Sequence, residues 1–456
     1  MDYSLNDLKK WNEVIEDKAR ELGLNFYPQE FEIIGYNDMI SYEAYVGMPS
    51  RYPHWSFGKS YEKTKTLYSL DLTGLAYEMV INSDPCLAYL MRENTQLLQI
   101  LTMAHVYGHN DFFKNNRLFK EGTRAKNTLE MFKLDGDTIR RFINHPSIGY
   151  EKVERVLDAA HAIKFQIPRV IGEKRITNEE RRERMMSDYN KSIQDKNILD
   201  EENLIEVPDI NKIPLEPEED VVGFLIEYGD LEEWEKTILK IVKRETEYFL
   251  PQVETKIMNE GWASFWHYNI LNSLDLPQSL QLEFLKRHND VIAPMVGGLN
   301  PYYIGFRLFQ YIDETYGRKK IFEVRDIDRD ASFLRRYLTR DLCEELNLFQ
   351  YGKKGFDFLV EEVSDEQGWE SIRDLISFNA GLGSIPCIRV IDYNPKENSI
   401  VLEHVFDGRE LELNYAKETL KYVQELWGRK VVLITKGKNG DEFKIICDEN
   451  KKIITQ

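Results

Sequence analysis

The sequence predicts a mainly α protein: a large helical domain with a buried candidate metal site, followed by a small C-terminal α+β domain. Three observations lead there. Apolar residues recur at helical spacing through most of the chain up to Gly381. After Gly381-Leu382-Gly383 the apolar pattern turns to period two. Within the helical part, His105-Val-Tyr-Gly-His109 and Glu260-Gly-Trp-Ala-Ser-Phe-Trp-His267 set metal-ligand residue types in apolar surroundings.

Taken in order, Leu8 to Leu22 is amphipathic and stops at Gly23. Phe31 to Tyr61, rich in aromatics, Gly and Pro, reads as irregular. Leu87 to Asn110 reads as one long buried helix carrying the histidine pair. Gly108 costs that helix roughly 1 kcal/mol relative to Ala, which suggests close approach by another backbone or a ligand. Tyr150 to Phe165 is helical, with Val153, Val156, Leu157, Ala160 and Ile163 on one face. From Gly172 to Glu219 charged residues, Asn and Pro dominate, and an exposed insertion or linker is expected, with some helix around Asn178 to Tyr189. Leu231 to Phe249 is helical, Pro251 starts a new segment, and Glu254 to Leu274 carries the Glu/His motif. Further helices are expected through Gly317, at Asp341 to Leu348 and at Glu370 to Ser377. Cys387 to Tyr393, Ser399 to Phe406, Val431 to Thr435 and Glu442 to Cys447 read as strands, with a helix at Asn414 to Trp427. The expected domains are therefore 1–383, with 172–219 as a charged insertion, and 384–456.

Bulk composition narrows the function classes. With 42% hydrophobic and 30% charged residues in 456, the chain reads as soluble and large enough for two or three domains. No apolar run approaches the roughly 20 residues of a membrane span, and the N-terminus lacks the basic and apolar regions of a signal peptide. A cytoplasmic location is expected. A net charge of −18 argues against nucleic acid as a partner. Arg181-Arg182-Glu183-Arg184 sits among acids and reads as a solvated helix face. Four scattered cysteines, with no CxxC pair, read as small buried hydrophobes in a reducing compartment. No Walker loop, dinucleotide fingerprint or nucleophile elbow is present.

Residues four apart on a helix share a face about one turn (~6 Å) apart, so His105 and His109 can grip one ion, and a Glu from a distant helix is a common third ligand of zinc. An isolated HxxxH also arises in ordinary buried helices. Glu260 is the preferred third ligand, because its aromatic neighbours imply burial and a buried carboxylate needs a partner. Val106 stands where HExxH has its general base, so that mechanism is excluded. Glu78, placed on an expected helix, and His267, roughly 10 Å along the axis from Glu260, are the candidates for proton handling. Asn110, Asp111, Asn115 and Asn116 could orient the imidazoles. Asp158 and His161, three apart, are further candidates to support the site, but Thr102 stands where a full di-iron helical set would need a carboxylate. Zinc is the expected ion, with iron or manganese as alternatives. Arg51-Tyr-Pro-His-Trp-Ser-Phe-Gly-Lys-Ser-Tyr61 reads as a packed loop that could hold an anionic or sugar-like group.

Several stretches are similar to the stage V sporulation protein R family: Tyr27-Pro-Gln-Glu-Phe, His54-Trp-Ser-Phe-Gly-Lys, His105-Val-Tyr-Gly-His-Asn-Asp-Phe-Phe, Leu157-Asp-Ala-Ala-His, Lys256-Ile-Met-Asn-Glu-Gly-Trp-Ala-Ser-Phe-Trp-His, Asn300-Pro-Tyr and Ser332-Phe-Leu-Arg-Arg-Tyr-Leu-Thr-Arg. The resemblance implies a bacterial cytoplasmic protein tied to endospore formation, especially the peptidoglycan cortex, and implies no particular reaction. Two functions follow as expectations. One is a metal-dependent hydrolase acting on a cytoplasmic precursor or a protein. The other is a non-enzymatic scaffold or regulator whose C-terminal sheet offers an edge strand to a protein partner.

Overall fold

The computed structural model describes residues 3–69, 78–194, 207–294, 299–354, 357–363 and 368–456. Among them it has 18 α-helices and ten strands, and the helical class and the small C-terminal sheet are as the sequence predicts. The chain begins with α1 (Leu5–Glu21), β1 (Gln29–Ile34), α2 (Tyr36–Ala44), α3 (Trp55–Ser69), β2 (Glu78–Ile81) and β3 (Cys86–Met91). Next come α4 (Gln96–Asn115), α5 (Arg117–Gly122), α6 (Thr128–Ile143), α7 (Tyr150–Ile163), α8 (Asn178–Gln194), α9 (Val221–Tyr228) and α10 (Glu233–Glu254). The helical part ends with α11 (Lys256–Asn272), α12 (Gln278–Val291), α13 (Pro301–Tyr316), α14 (Arg318–Ile327), α15 (Asp330–Tyr337), α16 (Arg340–Glu345), the β4 (Phe349–Lys354) and β5 (Asp357–Val363) hairpin, and α17 (Trp369–Asn379). Last are β6 (Ile388–Asn394), β7 (Ser399–His404), α18 (Leu413–Trp427), β8 (Val431–Lys436), β9 (Glu442–Cys447) and β10 (Ile453–Thr455).

Compactness groups these residues into two units. One comprises 1–141 and 247–384, the other 142–246 and 385–456. The first holds a core from α1, α4, α11, α13, α14 and α15, with Trp262, Trp266, Phe309 and Phe333 among its fully buried rings. Its small sheet runs β1-β3-β2, with β1 parallel and β2 antiparallel to β3. The second unit has the sheet order β10-β9-β8-β7-β6, and α18 crosses over between the parallel pair β7 and β8. Helix α7 buries Val153, Val156, Leu157, Ala160 and Ile163, the face read from its periodicity. Helix α8 is tied down by Arg181 and Arg184, whose guanidinium groups pair with Glu218 and Glu216. The 195–206 part of the charged stretch lies outside the described residues.

Three expectations about elements need correction. The long helix expected from Leu87 is a strand, β3, followed by α4 from Gln96. All six residues of β3 are buried, and a short, wholly apolar run carries no periodicity to separate strand from helix. Phe31 to Tyr61 is not irregular, since it ends β1, forms α2 and opens α3. Pro251 does not start a new helix; it lies inside the last turn of α10. The break falls at Thr255, where the backbone N–H groups of Ile257 and Met258 turn to the carboxylate of Asp330 at 2.8 and 2.9 Å.

Candidate metal centre

Helix α4 is buried along all its length except at Gln96 and Lys114. It crosses α11 antiparallel, so that His105 meets His267 and His109 meets Asn259. The crossing is close because Gly108 has no side chain. A Cβ there would stand 2.6 Å from the Cα of Ala263. The same device recurs between α11 and α13, where a Cβ on Gly261 would lie 2.3 Å from the Gly305 backbone. These contacts bring Tyr302, one residue into α13, against the residues of α4 and α11. Asp330 fixes the N-terminal turn of α11 from outside, which holds Asn259 and Glu260 in register with the histidines.

At the crossing, Nε2 of His109 lies 3.5 Å from Oε2 of Glu260, and Nε2 of His105 lies 3.9 Å from the same oxygen. Glu78, on β2, places Oε1 3.8 Å from His105 Nε2. One ligand atom each from Glu78, His105 and His109 lies within 4.8 Å of the others, so this Glu/His/His cluster could hold a metal ion. The expected ligands His105 and His109 belong to this cluster, Glu260 lies beside it with Oε2 near both imidazoles, and Glu78 joins it from a strand rather than from the helix expected for it. Nε2 of His105 is buried and has no hydrogen-bond partner. An unpaired nitrogen among carboxylates, too distant for hydrogen bonds, is what a ligand set looks like when the donors point at a common centre.

The polar groups around the cluster set its charge. His109 Nδ1 donates to Asn259 Oδ1 at 3.0 Å, which leaves Nε2 free to bind an ion. Burial, and then the neighbouring His105, pushes His109 down to about 4, so its imidazole is neutral at ordinary pH. Burial alone would raise Glu260, but the nearby imidazoles of His105 and His109, with the Tyr302 hydroxyl, hold it below the usual carboxylate range. Glu78 moves the other way. Burial raises it, His105 opposes that, and Glu260 adds to it. The two carboxylates thus differ in direction, Glu260 held toward its anion and Glu78 toward its protonated form. The charge of Glu260, followed by burial, raises the Tyr302 phenol, which keeps its proton and can donate it to the carboxylate. The Tyr302 ring also stacks over His105 at 6.1 Å.

Other candidates go elsewhere. His267 does not face the cluster with a free nitrogen; Nδ1 is 3.0 Å from His105 Nδ1 and Nε2 is 2.8 Å from His288 Nδ1. Asp158 and His161 lie on α7 in the second unit, whereas the cluster is in the first. Asn110, Asp111 and Asn115 bind the 25–29 segment and Arg325 instead of the imidazoles. A helix turns 100° per residue, which carries positions 110 and 111 away from the His105 face. Asn116 caps α5 and donates to the carbonyls of Arg325 and Asp328. Arg51 is buried against the rings of Tyr52, Phe57, Phe132 and Phe249, but most of the Arg51–Tyr61 stretch read as a loop is helix α3, from Trp55. Trp262 and Trp266 are fully buried in the core. Reasoning from motifs missed Asn259, His288 and Tyr302. Asn259 sits beside Glu260 inside the quoted motif, and Tyr302 follows Asn300-Pro301. Only the spacing of His288 from Phe284, one helical turn, marked it as a residue on an apolar face.

Residues 2–385 match the family described as "SpoVR like protein", and residues 386–438 match "SpoVR-like C-terminal domain". The chain belongs to the SpoVR family. The similarity extends to "Uncharacterized protein YcgB" of Escherichia coli (strain K12), 33% identical over 484 residues, covering 96% of this chain and 94% of that protein. No solved structure matches. The histidine pair, Glu78, Glu260 and Tyr302 all fall within the larger SpoVR region, whose end at 385 adjoins the C-terminal sheet. Membership in the SpoVR family suggests a role related to sporulation. Among the described residues no helix is long and apolar enough to cross a membrane.

Proposed function

We propose that the chain is a metal-dependent hydrolase in which His105, His109 and Glu260 hold one divalent ion, zinc in the simplest case, with Glu78 as the proton-transfer group. The observation that carries this reading is the buried, unpartnered Nε2 of His105, 3.8 and 3.9 Å from the two carboxylates. Two neutral imidazoles and one carboxylate are a common protein ligand set for catalytic zinc, and such an ion makes water a better nucleophile near neutral pH. Glu260 is assigned as ligand because its Oε2 approaches both imidazoles. Glu78 is assigned as base because it reaches the same centre from a separate element, and no glutamate occupies the helix position where HExxH carries one. The Tyr302 hydroxyl, which helps hold Glu260 below the usual carboxylate range, would steady the ligand while Glu78 exchanges its proton.

The family name supports a place for this chemistry in spore formation, and we extend it to the peptidoglycan cortex, with a cytoplasmic precursor or a protein as substrate. The test has two arms. Elemental analysis should find about one equivalent of metal in purified wild-type protein and near none in the His105→Ala/His109→Ala double variant. In a spore-forming host lacking the gene, wild type should restore cortex formation and the double variant should not. Near-zero metal in both proteins would overturn the metal reading, and full restoration by the double variant would remove the site from the biological role.

A further inference from the structure

Behind the cluster lies a line of three histidines, of which the proposed chemistry uses only His105. His105, His267 and His288 come from α4, α11 and α12, and all three are buried. Nδ1 of His105 faces Nδ1 of His267 at 3.0 Å, and Nε2 of His267 faces Nδ1 of His288 at 2.8 Å. His288 is packed among the rings of Tyr268, Phe284 and Phe306.

We propose that His267 and His288 are positioning residues that lock His105 into the one tautomer able to bind an ion through Nε2. The argument is a count of protons and rests on the metal reading above. Each contact needs one N–H and one lone pair. A neutral imidazole has a single N–H, and His267 uses both nitrogens, so it must donate through one and accept through the other. Only two directions exist. If the chain runs from His288 to His105, the Nδ1 of His105 accepts and its proton sits on Nε2, the atom that faces Glu78 and Glu260. That nitrogen then has no lone pair for an ion. If the chain runs from His105 to His288, His105 carries its proton on Nδ1 and Nε2 is free. A doubly protonated His267 would donate both ways and block the site as the first direction does. Ion binding therefore selects Nδ1–H on His105, Nε2–H on His267 and a free Nδ1 on His288. His288, two imidazoles away from the ion, supplies the acceptor that ends the chain. Asn259 does the same for His109 in one step through its amide oxygen.

The direction can be read by nitrogen NMR of the full chain with 15N-labelled histidine, titrated with zinc chloride. With one equivalent of zinc, His267 and His288 should both be Nε2–H tautomers, and His105 should be Nδ1–H with Nε2 shifted by ligation. The His288→Leu variant removes the terminal acceptor and should weaken zinc binding about 10- to 100-fold. His288→Asn, whose amide oxygen stands near the lost Nδ1, should recover affinity to within a few-fold of wild type. A merely structural role would lower the melting temperature of the metal-free variants without moving the His267 tautomer. An Nδ1–H tautomer on His267 in the zinc-loaded protein, or equal affinity in wild type and His288→Leu, overturns the proposal while leaving the metal site standing. Wild-type protein that takes up no zinc overturns both. Should His288→Leu not fold, the tautomers of the wild-type protein alone decide.

Discussion

Helices α4 and α7 both carry a histidine near a carboxylate, yet they are built on opposite plans. Helix α7 is amphipathic. Its buried positions recur every three or four residues, and Asp158 and His161 lie half-buried beside that stripe. Helix α4 is buried on every side, with Gln99, Thr102, His105, His109, Asn110, Asp111 and Asn115 inside. A polar side chain at the margin of α7 can turn to water at little cost. One on α4 must find a partner or cost about 1–3 kcal/mol. Most of the α4 set do find one, in Asn25, Tyr27, Met91, Asn259 or Arg325. The exceptions on α4 are Thr102 Oγ1 and His105 Nε2. The contrast teaches where to look for chemistry: a polar residue is informative when its surroundings forbid the easy solution.

The largest test of that contrast is Asp111→Ala. The Asp111 carboxylate accepts from Trp262 Nε1 at 2.9 Å and from the Asn25 amide at 2.7 Å, and it pairs with the buried Arg325. Breaking a buried pair on one side leaves a charge without compensation, typically at 3–5 kcal/mol. Asp326, 2.7 Å from Arg325 Nε, remains as a partner, so about 3 kcal/mol is expected in urea unfolding. A loss under 1 kcal/mol would mean that the buried polar groups of α4 are no more constrained than those of α7.

Next in size is Gly261→Ala. The added methyl would meet Gly305 backbone atoms at 2.3 Å, and backbone cannot step aside as a side chain can. A loss of about 2–3 kcal/mol and reduced metal content are expected together. Gly58, exposed near the start of α3 with nothing within 4 Å of its Cβ position, is the control. Ala there should leave stability unchanged or raise it by about 0.5–1 kcal/mol. Equal effects at the two positions would remove close backbone approach as the reason for Gly261.

This packing also explains how much was legible in the sequence. His105 and His109 could be read because helical spacing makes them neighbours before any tertiary fold exists. Gly108 could be read as a point of close approach, though not that Ala263 is what approaches. The strands β7 to β9 could be read from alternation, because one face of each is more exposed. Strand β3 could not, since all its residues are buried. Nor could the strand that carries Glu78, since Glu78 to Ile81 is too short to show a period. The roles of Asn259, Tyr302 and His288 depend on which helices cross, and nothing in a single chain's local pattern encodes that crossing.

A smaller effect is expected from acid. Burial, followed by the nearby His105, pushes His288 down to about 4. A histidine whose folded value lies below its unfolded value of ~6.5 stabilises fully above that value, and the contribution is lost as pH falls toward the folded one. Between pH 6.5 and 5 the metal-free protein should therefore lose about 1.5 kcal/mol through this residue alone. The groups that face His288 are His267, Tyr268, Phe284 and Phe306, none of them an acid that would favour its charged form. His288→Asn should flatten the slope in that window but not abolish it, because His109 and His267 shift in the same direction. Parallel slopes for variant and wild type would show that His288 is already charged, and so not held as the buried half of the comparison requires.

The smallest effect belongs to the amphipathic side. Arg155 on α7 pairs with Glu425 on α18 at 2.7 Å, and its side chain is 57% exposed. Arg155 keeps much of its hydration when the pair breaks, and the mostly buried Glu425 retains Lys451 at 2.7 Å. Arg155→Ala should therefore cost less than about 1 kcal/mol, and added salt should shrink even that difference. Metal content should not change. The pair is shorter than any contact between the histidines and Glu260, so distance alone would rank it first. Solvent decides instead: a short contact in water is weak, while a long one in a closed, polar centre leaves its donors free for something else to bind. A loss above 2 kcal/mol in Arg155→Ala would reverse that ranking and make α7 and α18 as dependent on their polar groups as α4 and α11.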